Sequence, residues 1–439
     1  MNQRKVINNA KWIIMCKIAQ SLIQFVVGLL SARYLGPSNY GLINYAASVT
    51  AFFMPLMRLG MDATLVQEYG NRPDQEGRVL GTALVMNLLS AFACVIGMTG
   101  FVAVANRGEI TTILVCCLYS TALIFHAVEM VQYWFQAKLL SKHSSLAMLC
   151  AHVVVSAYKI WLLATNKSVY WFALSHSVEY FAIGVLLVVA FRRNSNQKMT
   201  FSWAMARELF GKSKHYIIAL LMIVVYGKTG NILLTLIHNE TENGYFATAV
   251  TCTCIAVFVF DAIVDTARPV ILESKKNARE DFEKNVSRVY ALTTWLSIAQ
   301  SVFFTLFAGI VVKILYGDAY LPAVGVLRIL TWQGAFSYMG AVRNIWILAE
   351  EKHHLMFALN LTGAIVNVVC NFALIPYLGA CGAAVASLIT QIFTNFILGF
   401  LWKPLRENNR LLVQGLDPRL LRDMAKLLMH RKSAVDEIS

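Results

Sequence analysis

The chain has 439 residues, of which 58% are hydrophobic and only 14% are charged, with a formal net charge of +14. A water-soluble domain has about a quarter charged residues, so the composition excludes an ordinary soluble enzyme and predicts a protein solvated by lipid. The basic residues lie between apolar segments rather than on one face, which argues against a nucleic-acid partner. The nine cysteines lie in or beside apolar stretches without metal-ligand spacing, so no metal site is predicted.

Apolar segments of membrane-spanning length recur along the whole chain. A helix needs about 20 residues to cross the hydrocarbon core of a bilayer. Segments of this kind lie at 11–33, 39–60, 79–104, 109–136, 143–165, 169–191, 215–237, 244–268, 289–315, 321–348, 354–376 and 380–402. The pattern predicts an all-α membrane protein with twelve transmembrane helices.

The distribution of basic residues predicts the orientation of these helices. If the N-terminus is cytoplasmic, the inside segments hold 27 of the 38 Lys and Arg residues, whereas the outside loops hold only 3. Cytoplasmic loops carry an excess of Lys and Arg in membrane proteins. We therefore expect a multi-pass protein of the cytoplasmic membrane with both termini in the cytoplasm.

The longest polar connections predict the domain organisation. The basic segment 192–214 divides the chain into an N-lobe at 1–191, with helices one to six, and a C-lobe at 215–402, with helices seven to twelve. The polar tail at 403–439 contains leucines spaced between basic residues around 419–430. This pattern is typical of a basic amphipathic helix on the membrane surface, where it would contact lipids; a frayed tail is the alternative.

A weak internal repeat supports two related lobes. Gly41 opens the second helix within GLINYA, and Gly244 opens the eighth within GYFATA, an offset of 203 residues. With the same offset, Arg58 and Asp62 correspond to Asp261 and Asp265. Transporters are commonly built from such repeats, with the substrate site at the repeat interface. Chance similarity between apolar helices is the alternative explanation.

Four short motifs carry a family resemblance. They are ARYLGPSNYG at 32–41, WFQAK at 134–138, YGDAY at 316–320 and NFALIP at 371–376. In this order they resemble bacterial polysaccharide flippases, the polysaccharide transport family of the multidrug/oligosaccharidyl-lipid/polysaccharide (MOP) exporter superfamily. The resemblance implies two pseudo-symmetric six-helix lobes with a MATE-like fold, which work by alternating access around a central cavity.

The resemblance also implies the cargo and the partners. Members move undecaprenyl-pyrophosphate-linked oligosaccharide repeat units from the cytoplasmic to the periplasmic leaflet of the inner membrane, for O-antigen (lipopolysaccharide) or capsule synthesis. We therefore expect a lipid-linked oligosaccharide as cargo and a polysaccharide polymerase and a chain-length regulator as partners. No cofactor is expected, and a proton or sodium gradient is the expected energy source.

Basic side chains inside the apolar segments are the candidate substrate-binding residues. A charge in the middle of a spanning helix costs at least about 2.5–3.5 kcal/mol, so it needs a reason. A cationic cavity suits a pyrophosphate, since Lys and Arg replace its hydration. The six candidates are Lys228, Lys159, Arg58, Arg343, Lys17 and Arg268. Lys228 and Lys159 lie deepest in their segments. Lys17 and Arg268 lie near helix ends, where the alternative explanation is snorkelling of the charged group to the membrane surface. For Arg58 the alternative explanation is an ion pair with Asp62.

Acidic side chains in the same segments are candidates for ion coupling. Asp261, Asp265 and Glu129 are predicted for this role, because a buried carboxylate can take up a proton. Glu179 is a further buried acid, and His126 lies three residues before Glu129. A structural salt-bridge cluster is the alternative for Asp261 and Asp265.

Two other transporter classes and an enzyme are the alternatives to a flippase. A cation-coupled multidrug exporter of the same superfamily usually carries an acid in the first helix, where this chain has Lys17, Gln20 and Gln24. Another class of twelve-helix transporter also fits the hydropathy pattern, but the segment 70–78 is a poor match to the loop motif that is usual in that class. An enzyme is not expected, because no predicted outside loop is long enough for a catalytic domain and no Gly-rich phosphate loop is present.

Overall fold

The computed structural model describes residues 3–195, 197–254 and 257–420, and every regular element in these ranges is helical. The α-helices are α1 (Gln3–Met57), α2 (Asp62–Asn71), α3 (Glu76–Ala105), α4 (Ile110–Ser120), α5 (Ala122–Glu129), α6 (Val131–Ala137), α7 (Ser141–Ala164), α8 (Val169–Asn194), α9 (Trp203–Ile237), α10 (Glu240–Cys254), α11 (Val257–Asn277), α12 (Arg279–Tyr316), α13 (Ala323–Ala349), α14 (His354–Ile392), α15 (Leu398–Leu401) and α16 (Arg406–Gly415). A π-helical turn at Phe393–Ile397 joins α14 to α15.

Within the described residues, eight helical runs are long and apolar enough to cross a membrane, or nine if α10 and α11, bent by 46°, form one span. Two of the runs are too long for a single crossing. Trp12–Asn71 has 60 residues and His354–Leu401 has 48, whereas about 20 helical residues span 30 Å. The all-α membrane fold is therefore confirmed, and the count of twelve helices agrees with it but stays a prediction.

Both long runs contain a backbone break at a glycine. Gly36 has φ 71° and ψ 172° inside α1, and Gly379 has φ 53° and ψ −131° inside α14. A positive φ is readily adopted by glycine because it has no Cβ. The breaks coincide with two positions, 34–38 and 377–379, at which the hydropathy pattern predicts outside loops.

The chain divides into two compact units, Met1–Gly244 and Tyr245–Ser439. The division lies after α9, because α9 packs against α1 and α3 within the first unit. The sequence places the same helix at the start of a C-lobe. The predicted limits of the two repeated lobes, 1–191 and 215–402, stay a prediction.

The WFQAK motif lies in the core of the first unit. Trp134 is buried against Phe135 and Phe191, and its indole Nε1 donates a 2.7 Å hydrogen bond to Glu76 Oε2. Lys138 forms an ion pair with the same carboxylate. A buried carboxylate needs such partners, since an unpaired charge costs several kcal/mol in a low-dielectric interior. The motif therefore has a structural function here.

A close backbone contact joins α1 to the start of α10 within the first unit. A Cβ on Gly41 would lie 1.7 Å from the carbonyl oxygen of Glu240, and a Cβ on Gly244 would lie 2.0 Å from that of Pro37. The offset of 203 pairs Gly41 with Gly244 and Pro37 with Glu240, so the contact is reciprocal. Asn243 Nδ2 reinforces it by donating a 2.9 Å hydrogen bond to Gly41 O.

The first part of the tail packs into the second unit. Leu411 and Leu412 of α16 are buried in the same apolar cluster as Tyr290. The Tyr290 hydroxyl donates a 2.9 Å hydrogen bond to Asn408 Oδ1. The predicted amphipathic helix around 419–430 lies almost wholly outside the described residues, which end at 420.

An ion cluster lies beside α16. Glu350 accepts hydrogen bonds from Lys275 and from Arg279 Nη1, the latter at 2.5 Å. Arg279 also pairs with Glu283 at 3.1 Å and with Glu407 of α16. Burial opposes ionisation of Glu350, but the two cationic hydrogen bonds outweigh it and hold the pKa of this carboxyl below its usual value.

Candidate functional site

The first unit encloses a polar cavity among apolar helices. Its volume is about 440 Å³, and it lies between α1, α4, α7 and α8. The polar side chains that matter most in its lining are Gln24, Asn44, His152, Lys159, His176 and Glu179. Polar groups are costly inside a membrane and mark substrate or ion pathways there, so this cavity is the candidate site.

The spacing of polar residues along α7 and α8 builds the cavity. On α7, His152, Ser156 and Lys159 are four and three residues apart, and on α8, His176 and Glu179 are three apart. Residues three or four apart share one face of an α-helix. Each helix therefore presents a polar stripe to the cavity while its other faces stay apolar.

Glu179 is the centre of the hydrogen-bond network. Its Oε1 lies 2.7 Å from His152 Nδ1, and its Oε2 lies 3.5 Å from Lys159 Nζ. The Glu179 side chain is only 7% exposed, whereas that of Lys159 is 27% exposed. The Nε2 atom of His152 lies 3.4 Å from the amide nitrogen of Gln24 on α1. Lys159 is thus the counter-charge of a buried carboxylate rather than an isolated cation.

Stacked aromatic rings connect this cavity to a second ion cluster. The His176 ring stacks on Tyr119 at 4.2 Å between centroids and meets Tyr180 edge-on at 4.9 Å. On its other side Tyr180 stacks on His126 at 3.3 Å. His126 Nδ1 lies 2.8 Å from Glu129 Oε2.

The second cluster pairs Arg58 with Glu129. Arg58 lies in the turn after α1, where Nη2 contacts Glu129 Oε2 at 2.8 Å and Nη1 contacts Asp62 Oδ2 at 3.4 Å. The pairing of Arg58 with Asp62 is confirmed. Tyr133 and Gln132 complete the shell, as Arg58 Nη1 lies 3.3 Å from the tyrosine oxygen and Gln132 Nε2 lies 3.2 Å from Glu129 Oε1. A predicted substrate-binding residue and a predicted ion-coupling residue thus form one ion pair.

The other predicted site residues lie outside the lining of this cavity. Lys17 on α1 and Lys228 on α9 are exposed. Arg343 on α13 is buried, and its Nη1 donates a 2.8 Å hydrogen bond to Thr394 O in the π-helical turn. Their substrate-binding roles stay predictions.

The acidic candidates of the second unit lie on α11. Asp265 pairs with Arg268 at 3.3 Å, and their side chains are 69% and 50% exposed. Asp261, one turn earlier, is exposed as well. In the part of the chain that the structure describes, no three His, Cys, Asp or Glu side chains are grouped to hold a metal ion.

Sequence reasoning finds Lys159 and Glu179 but misses His152 and His176. Each histidine is unremarkable alone, because a single imidazole in an apolar helix is compatible with a core position. The available signal is the helical spacing from His152 to Lys159 combined with that from His176 to Glu179. Their meeting depends on which faces of α7 and α8 pack together, which the sequence does not state.

Comparison with known proteins identifies the family. Residues 30–325 match the model of the family described as polysaccharide biosynthesis protein. The chain belongs to this family. Relatives include the capsular polysaccharide biosynthesis protein CapF of Staphylococcus aureus, 21% identical, with 88% of this chain and 96% of that protein covered. A putative O-antigen transporter of Escherichia coli strain K12 is 22% identical, with 87% and 92% covered.

Solved structures of the MOP superfamily share the fold. The lipid II flippase MurJ in an inward closed conformation matches with a TM-score of 0.67 at 15% identity, over 92% of this chain and 91% of that one. Multidrug transporters of the MATE family in the same superfamily match as well. The resemblance to the polysaccharide transport family is confirmed, and the chain is a multi-pass membrane protein with a MOP-superfamily transporter fold.

Proposed function

We propose that this protein flips undecaprenyl-pyrophosphate-linked oligosaccharide repeat units from the cytoplasmic to the periplasmic leaflet of the inner membrane. The product feeds O-antigen or capsule synthesis, and both termini are cytoplasmic. The observation that carries the proposal is the polar cavity of about 440 Å³ among membrane-spanning apolar helices. The names of the relatives support the same cargo class.

The cavity has the chemistry that a hydroxyl-rich cargo needs. Each buried sugar hydroxyl left without a partner costs about 1–3 kcal/mol, so a flippase must supply hydrogen-bond partners along the path. Gln24, Asn44, His152 and Glu179 supply them here. Alternating access then moves the head group while the lipid tail stays in the bilayer.

The pyrophosphate needs cations in addition to these groups. Lys17 and Lys228 are exposed and are proposed to contact it. Arg58 and Arg268 are already paired with acidic residues, and Arg343 donates to a backbone carbonyl, so a contact from these three requires a change of partner. Lys159 is proposed to support cargo binding from the cavity wall, where it is paired with Glu179 at 3.5 Å.

A cation gradient is the proposed energy source, with carboxylates as the coupling groups. Among the described residues Asp261 forms no ion pair, whereas Glu129 contacts Arg58 and His126 and Asp265 contacts Arg268. A carboxylate without a cationic partner gives up its charge to a proton more readily. Asp261 is therefore the first of the three candidates. Catalysis is not proposed for any of these groups.

The test is to locate the lipid-linked repeat unit in a strain that lacks the protein. We expect the unit to accumulate in the cytoplasmic leaflet, where an impermeant oxidant added to spheroplasts does not reach its sugars. Wild type restores access, while Lys228→Ala and Lys159→Ala do not. Lys313→Ala is the matched control, because this exposed lysine pairs with Asp318 near the end of α12.

Three outcomes count against parts of the proposal. Normal exposure of the unit in the deletion strain contradicts a flippase, and normal flipping in both lysine variants removes these lysines from the mechanism. Flipping that persists in vesicles after the proton and sodium gradients are dissipated contradicts the coupling.

A further inference from the structure

The charge of the polar cavity differs from what a pyrophosphate needs. Lys159 and Glu179 are lining residues of opposite formal charge, and they face each other at 3.5 Å. A dianion placed beside Lys159 would lie close to the Glu179 carboxylate as well, and like charges repel strongly in a low-dielectric site. The cavity is therefore matched to a neutral ligand.

The hydrogen-bonding groups of the cavity favour a ligand with many hydroxyls. Ser31 and Ser175 donate their own hydroxyl protons to Val27 O and Phe172 O, at 2.7 and 2.6 Å. Asn44 Nδ2 likewise donates to Tyr40 O at 2.9 Å. Because the hydroxyl protons of both serines and one N–H of Asn44 are used within their helices, the side-chain oxygens remain as acceptors.

Glu179 adds the strongest acceptor. Its two oxygens have about four lone-pair sites, and the described residues occupy them with one short contact to His152 and one long contact to Lys159. Hydrogen bonds to a charged group are roughly twice as strong as neutral ones. An acceptor-rich wall around a carboxylate is complementary to sugar hydroxyls, which donate.

Aromatic rings and cavity size complete the match. Tyr119, Phe172 and Tyr180 line the same cavity, and the negative face of an aromatic ring attracts the positively polarised C–H groups of a sugar. Small-molecule pockets have volumes of about 300–1,000 Å³, and this cavity of about 440 Å³ lies within that range.

We propose that this cavity is a saccharide subsite, in which Glu179, His152 and Gln24 bind a neutral sugar of the cargo while Lys159 holds Glu179 in place and the pyrophosphate binds elsewhere. This inference rests on the proposed function, because it assigns one part of that cargo to one part of the protein. It makes Lys159 a positioning residue and Glu179 a specificity-determining one.

The experiment compares two ligands of the purified full-length protein in detergent. One is the lipid-linked repeat unit isolated from the deletion strain, and the other is undecaprenyl pyrophosphate without sugars. Binding is followed by native mass spectrometry. We expect Glu179→Gln and Gln24→Ala to weaken binding of the glycosylated lipid by about tenfold or more and to leave the bare lipid within about twofold of wild type.

Lys228→Ala is the matched control, since it is expected to weaken both ligands to the same extent. Gln24→Ala keeps the test decisive if Glu179→Gln fails to fold, because Gln24 has one long contact in the cavity. Equal loss of both ligands in Gln24→Ala would show that the cavity holds the pyrophosphate. Unchanged binding of both in Gln24→Ala and Glu179→Gln would show that the cavity does not contact the cargo.

The two proposals fail in different ways. If the wild-type protein binds neither lipid, the flippase assignment falls and the subsite with it. If the wild type binds both lipids with the same affinity, the flippase assignment stands and the saccharide subsite is overturned.

Discussion

Two carboxylates of the first unit, Glu129 and Glu179, have similar partners and different surroundings. Each accepts from a histidine at 2.8 or 2.7 Å and from a cation at 2.8 or 3.5 Å. Glu129 also accepts from Gln132, and its ion pair with Arg58 lies outside the lining of the cavity. Glu179 instead borders an open cavity, and its cation is held loosely. We infer that the acceptor capacity left over, rather than the residue type, distinguishes the carboxylate proposed to bind a sugar from the carboxylate held in a short ion pair.

The largest effect is expected from removing the cation of the Arg58–Glu129 pair. Arg58→Ala leaves Glu129, whose side chain is only 14% exposed, without its counter-charge, which costs about 3–5 kcal/mol of folding stability. Thermal unfolding in detergent, followed by tryptophan fluorescence, measures the loss. The double variant Arg58→Ala with Glu129→Gln is the control and recovers most of it. A melting temperature of Arg58→Ala equal to that of wild type would contradict the structural assignment.

A smaller effect is expected from substitution of His126 and His152, and it distinguishes the two clusters. His126→Ala removes a ring that is 5% exposed and stacked on Tyr180, and we expect a loss of roughly 1–3 kcal/mol. His152 borders the cavity, so in His152→Ala water replaces the lost hydrogen bond to Glu179. We therefore expect a smaller loss of stability and a clear loss of flipping. Melting temperature and the leaflet assay measure the two. Equal destabilisation by both variants would remove the distinction between the clusters.

The smallest effect on stability is expected from a third ion-paired carboxylate, Glu350, which lies at a helix end in the second unit. Its pKa in the folded protein lies below its usual value, so its ion pairs stabilise the fold fully above the unfolded pKa of about 4.3. This contribution is lost as the pH falls through the lower folded pKa. The difference in melting temperature between wild type and Glu350→Gln is expected to be constant from about pH 8 to 5 and to close at lower pH.

Glu351→Gln is the matched control for this titration, because Glu351 is the exposed neighbour in the sequence. Its melting temperature is expected to follow that of wild type at every pH. A difference between wild type and Glu350→Gln that does not change with pH would show that Glu350 acts through packing rather than through its charge.

The sequence predicts more of the fold than of the site. Apolar segment lengths and short polar gaps place helix breaks at Gly36 and Gly379, because these depend on local chain properties. The same segment lengths place the Lys159 charge deep inside a predicted transmembrane helix. They do not show that its partner is Glu179 on the next helix, or that Arg58 meets Glu129, 71 positions further along. Such pairs depend on helix rotation and packing, and apolar composition constrains rotation only weakly.

The reciprocal contact of Gly41 and Gly244 has a consequence for how the family can vary. Gly41 faces the backbone carbonyl of Glu240, and Gly244 faces that of Pro37. A side-chain substitution at Glu240 or Pro37 does not remove the carbonyl, so it makes no room for a larger residue. Compensation for a larger residue at either position must therefore come from moving a helix. Relatives that carry alanine or serine at one of these sites are expected to differ in the separation of two helices, and the two alignment columns should change together across evolution.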